Sequence, residues 1–280
     1  MLYLCSTPIG NLEDITLRVL RILKEADLIA AEDTRHTIKL LNHYNISKPL
    51  VSYHEHNRLD RGPELIEILK SGKTIAYCSD AGMPGISDPG ADLVVLARQE
   101  NIVTTVLPGP SAAPTALVLS GLSTERFAFE GFLPKSKKAR NEILEKISRE
   151  ERTLIIYESP HRLKRTLNDL HKHLGDRPIS IVRELTKIHE QVLPSTMEEA
   201  LAYYDDKQPR GEFVLVVEGI ELEVDCFEFT DISIEEHILR YIKSGFTKKE
   251  AIKLTARDRD IPKSEVYKVS IGIGIHNKPL

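Results

Sequence analysis

The chain has no tryptophan, and aromatic residues make up only 6% of its 280 positions. A platform of stacked bases would therefore have to rest on tyrosine or phenylalanine alone. Cysteine is as sparse. Cys5, Cys78 and Cys226 are the three; no two have C-x-x-C spacing, which excludes the usual zinc and dithiol redox motifs. Cys5 and Cys78 fall in apolar, strand-like runs and read as small core residues. A reducing compartment is the expectation that follows. No apolar run approaches the roughly 20 residues of a membrane helix. The start, "MLYLCSTPIGN", lacks a basic segment and reaches a polar turn early, so no signal peptide is expected and the cytoplasm is the expected location. The net charge of −4 argues against coating nucleic acid by bulk charge, while leaving room for a local basic patch.

Familiar catalytic signatures are missing too. There is no G-x-x-x-x-G-K-[ST] and no G-x-G-x-x-G opening a helix, so phosphate cradles of the P-loop and dinucleotide kinds are excluded. The nearest match, "GIGIHN" from Gly272, lies in the tail without a strand before it. H-E-x-x-H and G-x-S-x-G are absent as well. His54 and His56 in "SYHEHN" read as solvated loop histidines rather than metal ligands.

What is present is a recurring unit of short apolar run, turn cluster and amphipathic helix. "LYLCS" leads through "TPIGN" to "LEDITLRVLRILKEA", where Leu17, Leu20, Ile22 and Leu23 can share a face. "LIAAE" precedes "DTRHTIKLLNHY", "TIAYCSD" precedes "AGMPGISDPGADLVVLARQE", and "IVTTVLPGPSA" precedes "APTALVLSGL". Strands alternating with helices predict a mostly parallel sheet, and near-continuous apolar strands predict that both faces are covered. A second α/β group starts near Phe127, with strands at "FAFEGFLP", "TLIIYE", "PISIVREL" and "EFVLVVEGI". The fold class expected is α/β: a first α/β domain over residues 1–115, a second over 116–222, and a cleft between them. Three short helices are expected over 230–280, resembling a helix-turn-helix, with Thr247 and Ser264 as N-caps.

Four turn-rich loops, "STPIGN", "EDTR", "SDAGMPGISDPG" and "PGPSAA", each end a predicted strand of the first group. In open α/β sheets ligands collect where such loops converge, and Gly and Pro there allow tight turns and close backbone approach.

Those loops, read with "GFLP", "YESPHRL", "RELTKIHE" and "GEFVLVVEG", resemble the tetrapyrrole methylase superfamily over about residues 2–220. Within it they resemble the branch that methylates small-subunit ribosomal RNA, whose helix-turn-helix extension the C-terminal unit is similar to. The chain departs in one detail: Ser6 stands where the family usually has Gly. The resemblance implies S-adenosyl-L-methionine as cofactor, transfer of its methyl to the ribose 2′-hydroxyl of a cytidine in 16S ribosomal RNA, and a homodimer. Carried over by motif, it implies cofactor contacts at Pro8, Asp80, Gly82, Met83, Ile86, Ser87, Ser111, Ala112 and Phe132. It also implies cleft walls at Tyr157 and Gly211.

A 2′-hydroxyl needs help to lose its proton. Glu32, Asp33, Glu158 and Glu184 are the candidate acceptors, and the sequence does not choose among them. Phosphates of 16S ribosomal RNA or of the small ribosomal subunit would be held by basic side chains. Arg35, Lys135, Lys137, Lys138, Arg140, Arg162, Lys164 and Arg165 are the expected set. Two rival readings stand beside this one: a tetrapyrrole methyltransferase of cobalamin or sirohaem synthesis, and a non-catalytic RNA-binding assembly protein.

Overall fold

The computed structural model describes residues 1–220 and 232–273. Cys226, the end of "GIGIHN" and residues 221, 222, 230 and 231 of the expected domain limits lie outside the described residues. The chain divides into two compact units at residue 220.

The first unit opens with β1 (Leu2–Cys5), α1 (Leu17–Glu25), β2 (Leu28–Ala31), α2 (Thr34–His43) and β3 (Leu50–Ser52). It continues with α3 (Arg58–Lys70), β4 (Ile75–Cys78), α4 (Gly90–Gln99) and β5 (Thr104–Leu107). These strands form a parallel sheet in the order β3-β2-β4-β1-β5. Alternation within each strand assigns the faces. Cys5, Ile29, Ala76 and Cys78 face Val19, Ile22 and Leu23 of α1 and Leu40 and Leu41 of α2. Leu4, Ala30, Ile75 and Tyr77 face Leu65, Ile66 and Leu69 of α3 and Leu93 and Ala97 of α4. Burial on both faces is why these strands read as unbroken apolar runs.

Helix α1 corrects one expectation. Thr16 caps it, accepting a hydrogen bond from the Val19 N–H. Val19, Ile22, Leu23 and Ala26 then share the buried face at i, i+3, i+4 and i+7. Leu17, expected on that face, lies in the first turn and is 85% exposed.

The second half of this unit contains α5 (Ala112–Ser120), β6 (Phe127–Phe132), α6 (Lys137–Ile147), β7 (Thr153–Glu158), α7 (Leu163–Leu174) and β8 (Pro178–Arg183). It ends with β9 (Gln191–Thr196), α8 (Met197–Asp205) and β10 (Phe213–Val217). The sheet order is β6-β7-β10-β8-β9. Only β6 and β7 pair in parallel; the other neighbours are antiparallel. Helices α6, α7 and α8 cover one face. The other face carries Ile155, Val182, Val214 and Val216, and it is met by Ala113, Ala116 and Leu117 of α5. Helix α5, which spans the expected limit at residues 115 and 116, thus packs with the second sheet.

Arg140, placed by the sequence among the RNA-facing cations, is instead a core residue. Its side chain is 2% exposed. Nε donates to Asp169 Oδ2 at 2.8 Å, and the guanidinium also reaches the carbonyls of Pro134 and Lys135. The charge is accepted inside because Nε meets a carboxylate and Nη1 two carbonyl oxygens.

In the second unit, α9 (Ile234–Lys243), α10 (Lys248–Asp258) and α11 (Lys263–Ser270) bury Ile238, Tyr241, Ala251, Ile252, Ala256 and Val266 among themselves. Thr247 caps α10 through a reciprocal capping box with Glu250. Ser264 is not a cap: Pro262 holds that position and Ser264 lies inside α11, as suits a proline just before a helix.

Arg140→Ala is expected to lower stability by about 3 kcal/mol, because Asp169 loses its buried partner. The readout is a lower urea midpoint at unchanged slope; an unmoved midpoint would return Arg140 to the surface.

Candidate active site

The carboxyl ends of β1, β2, β4 and β5 release their loops toward the same end of the first sheet, as a parallel sheet requires. Two of these loops clasp each other. The Thr7 N–H donates to the Gly82 carbonyl and the Gly82 N–H to the Thr7 carbonyl, both at 3.0 Å. Thr7 Oγ1 adds a bond to the Ser79 carbonyl at 3.2 Å. Gly82 has φ +82°, a left-handed conformation that any side chain would strain. Ser6, at the family's usual glycine, donates its hydroxyl to the Leu107 carbonyl at 2.8 Å and lies 3.2 Å from the Met83 sulfur. Its extra atoms tie the first loop to the ends of β4 and β5.

A second tie joins β2 to β4. The Asp80 N–H donates to Glu32 Oε2 at 3.1 Å, and the Asp33 N–H donates to Asp80 Oδ1 at 2.9 Å. Asp88 folds the rest of the long loop onto itself. Its carboxylate accepts from the N–H groups of Gly85 and Gly90 and from the Tyr77 phenol.

Between these loops and the second sheet lies a cavity of about 470 Å³. Of the expected cofactor contacts, Asp80, Gly82, Met83, Ile86 and Ser87 line it from the long loop. Ser111 and Ala112 line it from the start of α5, and Phe132 and Tyr157 from the ends of β6 and β7. Pro8 and Gly211 do not line it. Ile9 forms the wall beside Pro8. Gly211 sits in a left-handed turn where a Cβ would meet the Glu184 carboxylate at 2.5 Å. The sequence reading had not placed Ile9, Val182, Leu185 and Val214, which supply an apolar wall. Ile9 comes from the loop after β1, whereas Val182, Leu185 and Val214 are brought here by the second sheet, where β8 and β10 pair antiparallel. Phe132 and Tyr157 pack edge to face, with centroids 5.6 Å apart.

Five carboxylates line the cavity, those of Glu32, Asp80, Asp88, Glu158 and Glu212, and among the described residues no lysine, arginine or histidine does. Such a lining suits a cationic or neutral ligand and repels a polyphosphate. Among the described residues no group of three or more His, Cys, Asp or Glu is placed to hold a metal.

The four acceptors weighed on sequence separate here. Asp33 is the N-cap of α2 and forms a tight pair with Arg35, with Nη2 to Oδ2 at 2.6 Å. That hydrogen bond holds its carboxyl down at about 2. Glu158 is fully buried and accepts from the Ser159 N–H and the Thr166 hydroxyl, with Arg162 at 3.4 Å. Glu184 stands outside the cavity. Burial raises its carboxyl, but the Lys187 ammonium and the Glu212 N–H outweigh burial and leave it below the ordinary range. The Glu32 carboxyl is raised. Burial is the main cause, and the charges of Asp80, Asp88 and Asp33 add to it.

The basic residues also separate. Lys135, Lys137 and Lys138 are exposed where β6 gives way to α6. Arg35 is 86% exposed although its guanidinium holds Asp33. Arg165 is exposed, with Asp169 at 3.9 Å. Arg162 is half-buried and turned inward, donating to the Leu133 carbonyl at 2.6 Å.

The profile of the tetrapyrrole (corrin/porphyrin) methylases matches residues 1–201. The chain belongs to that family. This methylase is 54% identical over 270 residues to the ribosomal RNA small subunit methyltransferase I of Halalkalibacterium halodurans, covering 96% of this chain and 93% of that one. It is 47% identical over 220 residues to the protein of the same name from Thermotoga maritima, covering 79% of this chain and 99% of that one. Among solved structures, a diphthine synthase shares the fold with a TM-score of 0.60 at 17% identity, covering 78% of this chain and 89% of that one.

Two outcomes follow from the site's own chemistry. Replacing Gly82 by Val should strain the clasp, because the new side chain would face Ile9 at a left-handed position, at a cost of about 1–3 kcal/mol; urea unfolding measures it. Glu32→Gln should stabilise the ligand-free protein at neutral pH. A carboxyl whose folded pKa is raised binds more protons folded than unfolded, so its effect on stability worsens as pH rises through the raised pKa. The amide removes that loss. The difference from wild type should vanish below the unfolded glutamate pKa, as thermal unfolding across pH would show.

Proposed function

We propose that this methylase transfers a methyl group from S-adenosyl-L-methionine to the ribose 2′-hydroxyl of a cytidine in 16S ribosomal RNA. The observation that carries the donor is the cavity's lining: five carboxylates and, among the described residues, no basic side chain, in a pocket otherwise lined by apolar residues, four serines and Gly82. Its volume falls in the ~300–1,000 Å³ range of ligand pockets. A sulfonium donor is cationic, carries no phosphate and needs main-chain partners and an apolar slot, which this cavity offers. The relatives named for small-subunit ribosomal RNA, similar over nearly the whole chain, support the acceptor.

In this reading the long loop, with Asp80, Gly82, Met83, Ile86 and Ser87, holds the donor by backbone and short side chains. Ser111 and Ala112 present the N-terminal end of α5, whose orphan N–H groups suit a carboxylate. Phe132 and Tyr157 flank the base. When bound, the donor supplies an activated methyl. The protein's work is to align the acceptor oxygen with it and to exclude water.

RNA is held through phosphates by Lys135, Lys137, Lys138, Arg35 and Arg165, all exposed. Arg162 contributes by fixing the Leu133 carbonyl and Glu158 beneath that surface. A homodimer in the cytoplasm completes the proposal. It is supported by Val103, Val106 and Phe127, apolar side chains left exposed on or beside the edge strands β5 and β6. Among the described residues no helix is long and apolar enough to cross a membrane.

The test is transfer of labelled methyl to small ribosomal subunits, naked 16S RNA and a porphyrinogen, with donor binding followed by calorimetry. Label in a cytidine 2′-O-methyl group is expected. Label entering only the porphyrinogen, or no heat with the donor, defeats the proposal. A Lys137→Ala/Lys138→Ala variant should weaken RNA binding and reduce the salt slope by about one for each phosphate it no longer neutralises.

A further inference from the structure

We propose that Glu32 is the catalytic base of this site, accepting the proton of the acceptor hydroxyl on the oxygen that the fold leaves open. The inference rests on the methyl-transfer reading and names the residue that the reading leaves unassigned.

The argument is one of elimination among the five carboxylates that line the cavity. Asp88 is filled by two loop N–H groups and the Tyr77 phenol. Glu158 is filled by Ser159, Thr166 and Arg162. Glu212 is exposed and paired with Lys187 at 2.9 Å. Two remain, Glu32 and Asp80, and the reciprocal bonds between the β2 and β4 loops hold one oxygen of each. Glu32 Oε2 accepts the Asp80 N–H, while among the described residues Oε1 accepts no hydrogen bond. Asp80 is exposed, and its Oδ1 already accepts the Asp33 N–H at 2.9 Å. Glu32 lies one residue past the end of β2, half-buried, with its N–H held by the Cys78 carbonyl at 3.1 Å, and it lines the cavity.

Its surroundings suit the task. The long loop after β4 presents Asp80 and Asp88, α2 presents Asp33 with Arg35 bound to it, and β4 presents the Tyr77 phenol. Burial and the three carboxylates lift the Glu32 carboxyl above its ordinary range, toward the operating pH at which a base is most effective.

The step balances. The 2′-O–H bond breaks and its proton passes to Glu32 Oε1. The oxygen's electron pair forms the new O–CH3 bond, and the C–S bond breaks with its pair going to sulfur. The products are a 2′-O-methyl ribose, neutral S-adenosylhomocysteine and a protonated Glu32. The proton then leaves Glu32 to water.

The experiment measures single-turnover methyl transfer to small subunits across pH for wild type, Glu32→Gln and Asp80→Asn. Donor affinity by calorimetry and thermal unfolding are recorded for each. Wild type should show a rate that falls as pH drops below the raised Glu32 pKa. Glu32→Gln should lose that acid limb and about 10²–10⁴-fold in rate at neutral pH, while unfolding no earlier than wild type and still binding the donor. Asp80→Asn should keep the limb with its midpoint moved to lower pH, because one charge that pushes Glu32 up has gone. A readout without turnover is the carboxyl carbon shift of Glu32 in the ligand-free protein, which should titrate above the ordinary glutamate range. Several results overturn the assignment. An acid limb surviving in Glu32→Gln would do so, as would a limb lost only in Asp80→Asn, which makes Asp80 the base. Donor binding at least about tenfold weaker in Glu32→Gln, with an unchanged rate at saturation, would make Glu32 a binding residue. Wild type that neither binds the donor nor labels the subunit removes the methyl-transfer reading itself, and this inference with it.

Discussion

The paired backbone bonds between Thr7 and Gly82 set the rest of the site. They join the loop after β1 to the loop after β4 at a point where only a glycine takes the required φ without strain. With that clasp closed, the long loop cannot swing away from the sheet, and Ser6 can reach both the Leu107 carbonyl and Met83. The Glu32–Asp80–Asp33 bonds then align the β2 loop against the same frame. The rim is held by main-chain donors and acceptors together with short side chains, and it occupies one oxygen each of Glu32 and Asp80.

Charge follows from that rim. Carboxylates crowd the cavity, and the neighbouring cations reach them only from outside its lining: Arg162 pairs with Glu158 and Lys187 with Glu212, while Arg35 is held by Asp33. The pocket is left acidic while the exposed lysines stand at the start of α6. Such a division suits an enzyme that must hold a cationic donor inside and a polyanion outside, since like charges in one cleft would oppose both.

Much of this was legible in the residues. The strand–loop–helix rhythm, the two α/β groups and the loops at the strand ends came from apolar periodicity and turn chemistry, which act locally. The misses are local competitions that tertiary packing settled. Leu17 has the right spacing for the α1 face, yet helix start at the Thr16 cap turns it outward and gives its place to Val19. Ser264 is a good cap by type, but Pro262 takes the position two residues earlier. Strand β9 and helix α8 went unread because "QVLPST" carries a proline and half-polar residues, as an edge strand can. Arg140 sits in a basic run that looks solvent-facing; only the approach of α7 reveals Asp169 beneath it.

The sequence by itself determined most of the elements, the loops at the strand ends and the family, because these depend on short-range sterics and on motifs in order. Tertiary structure decided which carboxylate is raised, which cations face inward and which apolar residues of β8 and β10 wall the cavity. Those properties depend on burial and on the distance between charges brought together from remote parts of the chain. Spacing along the chain does not encode them.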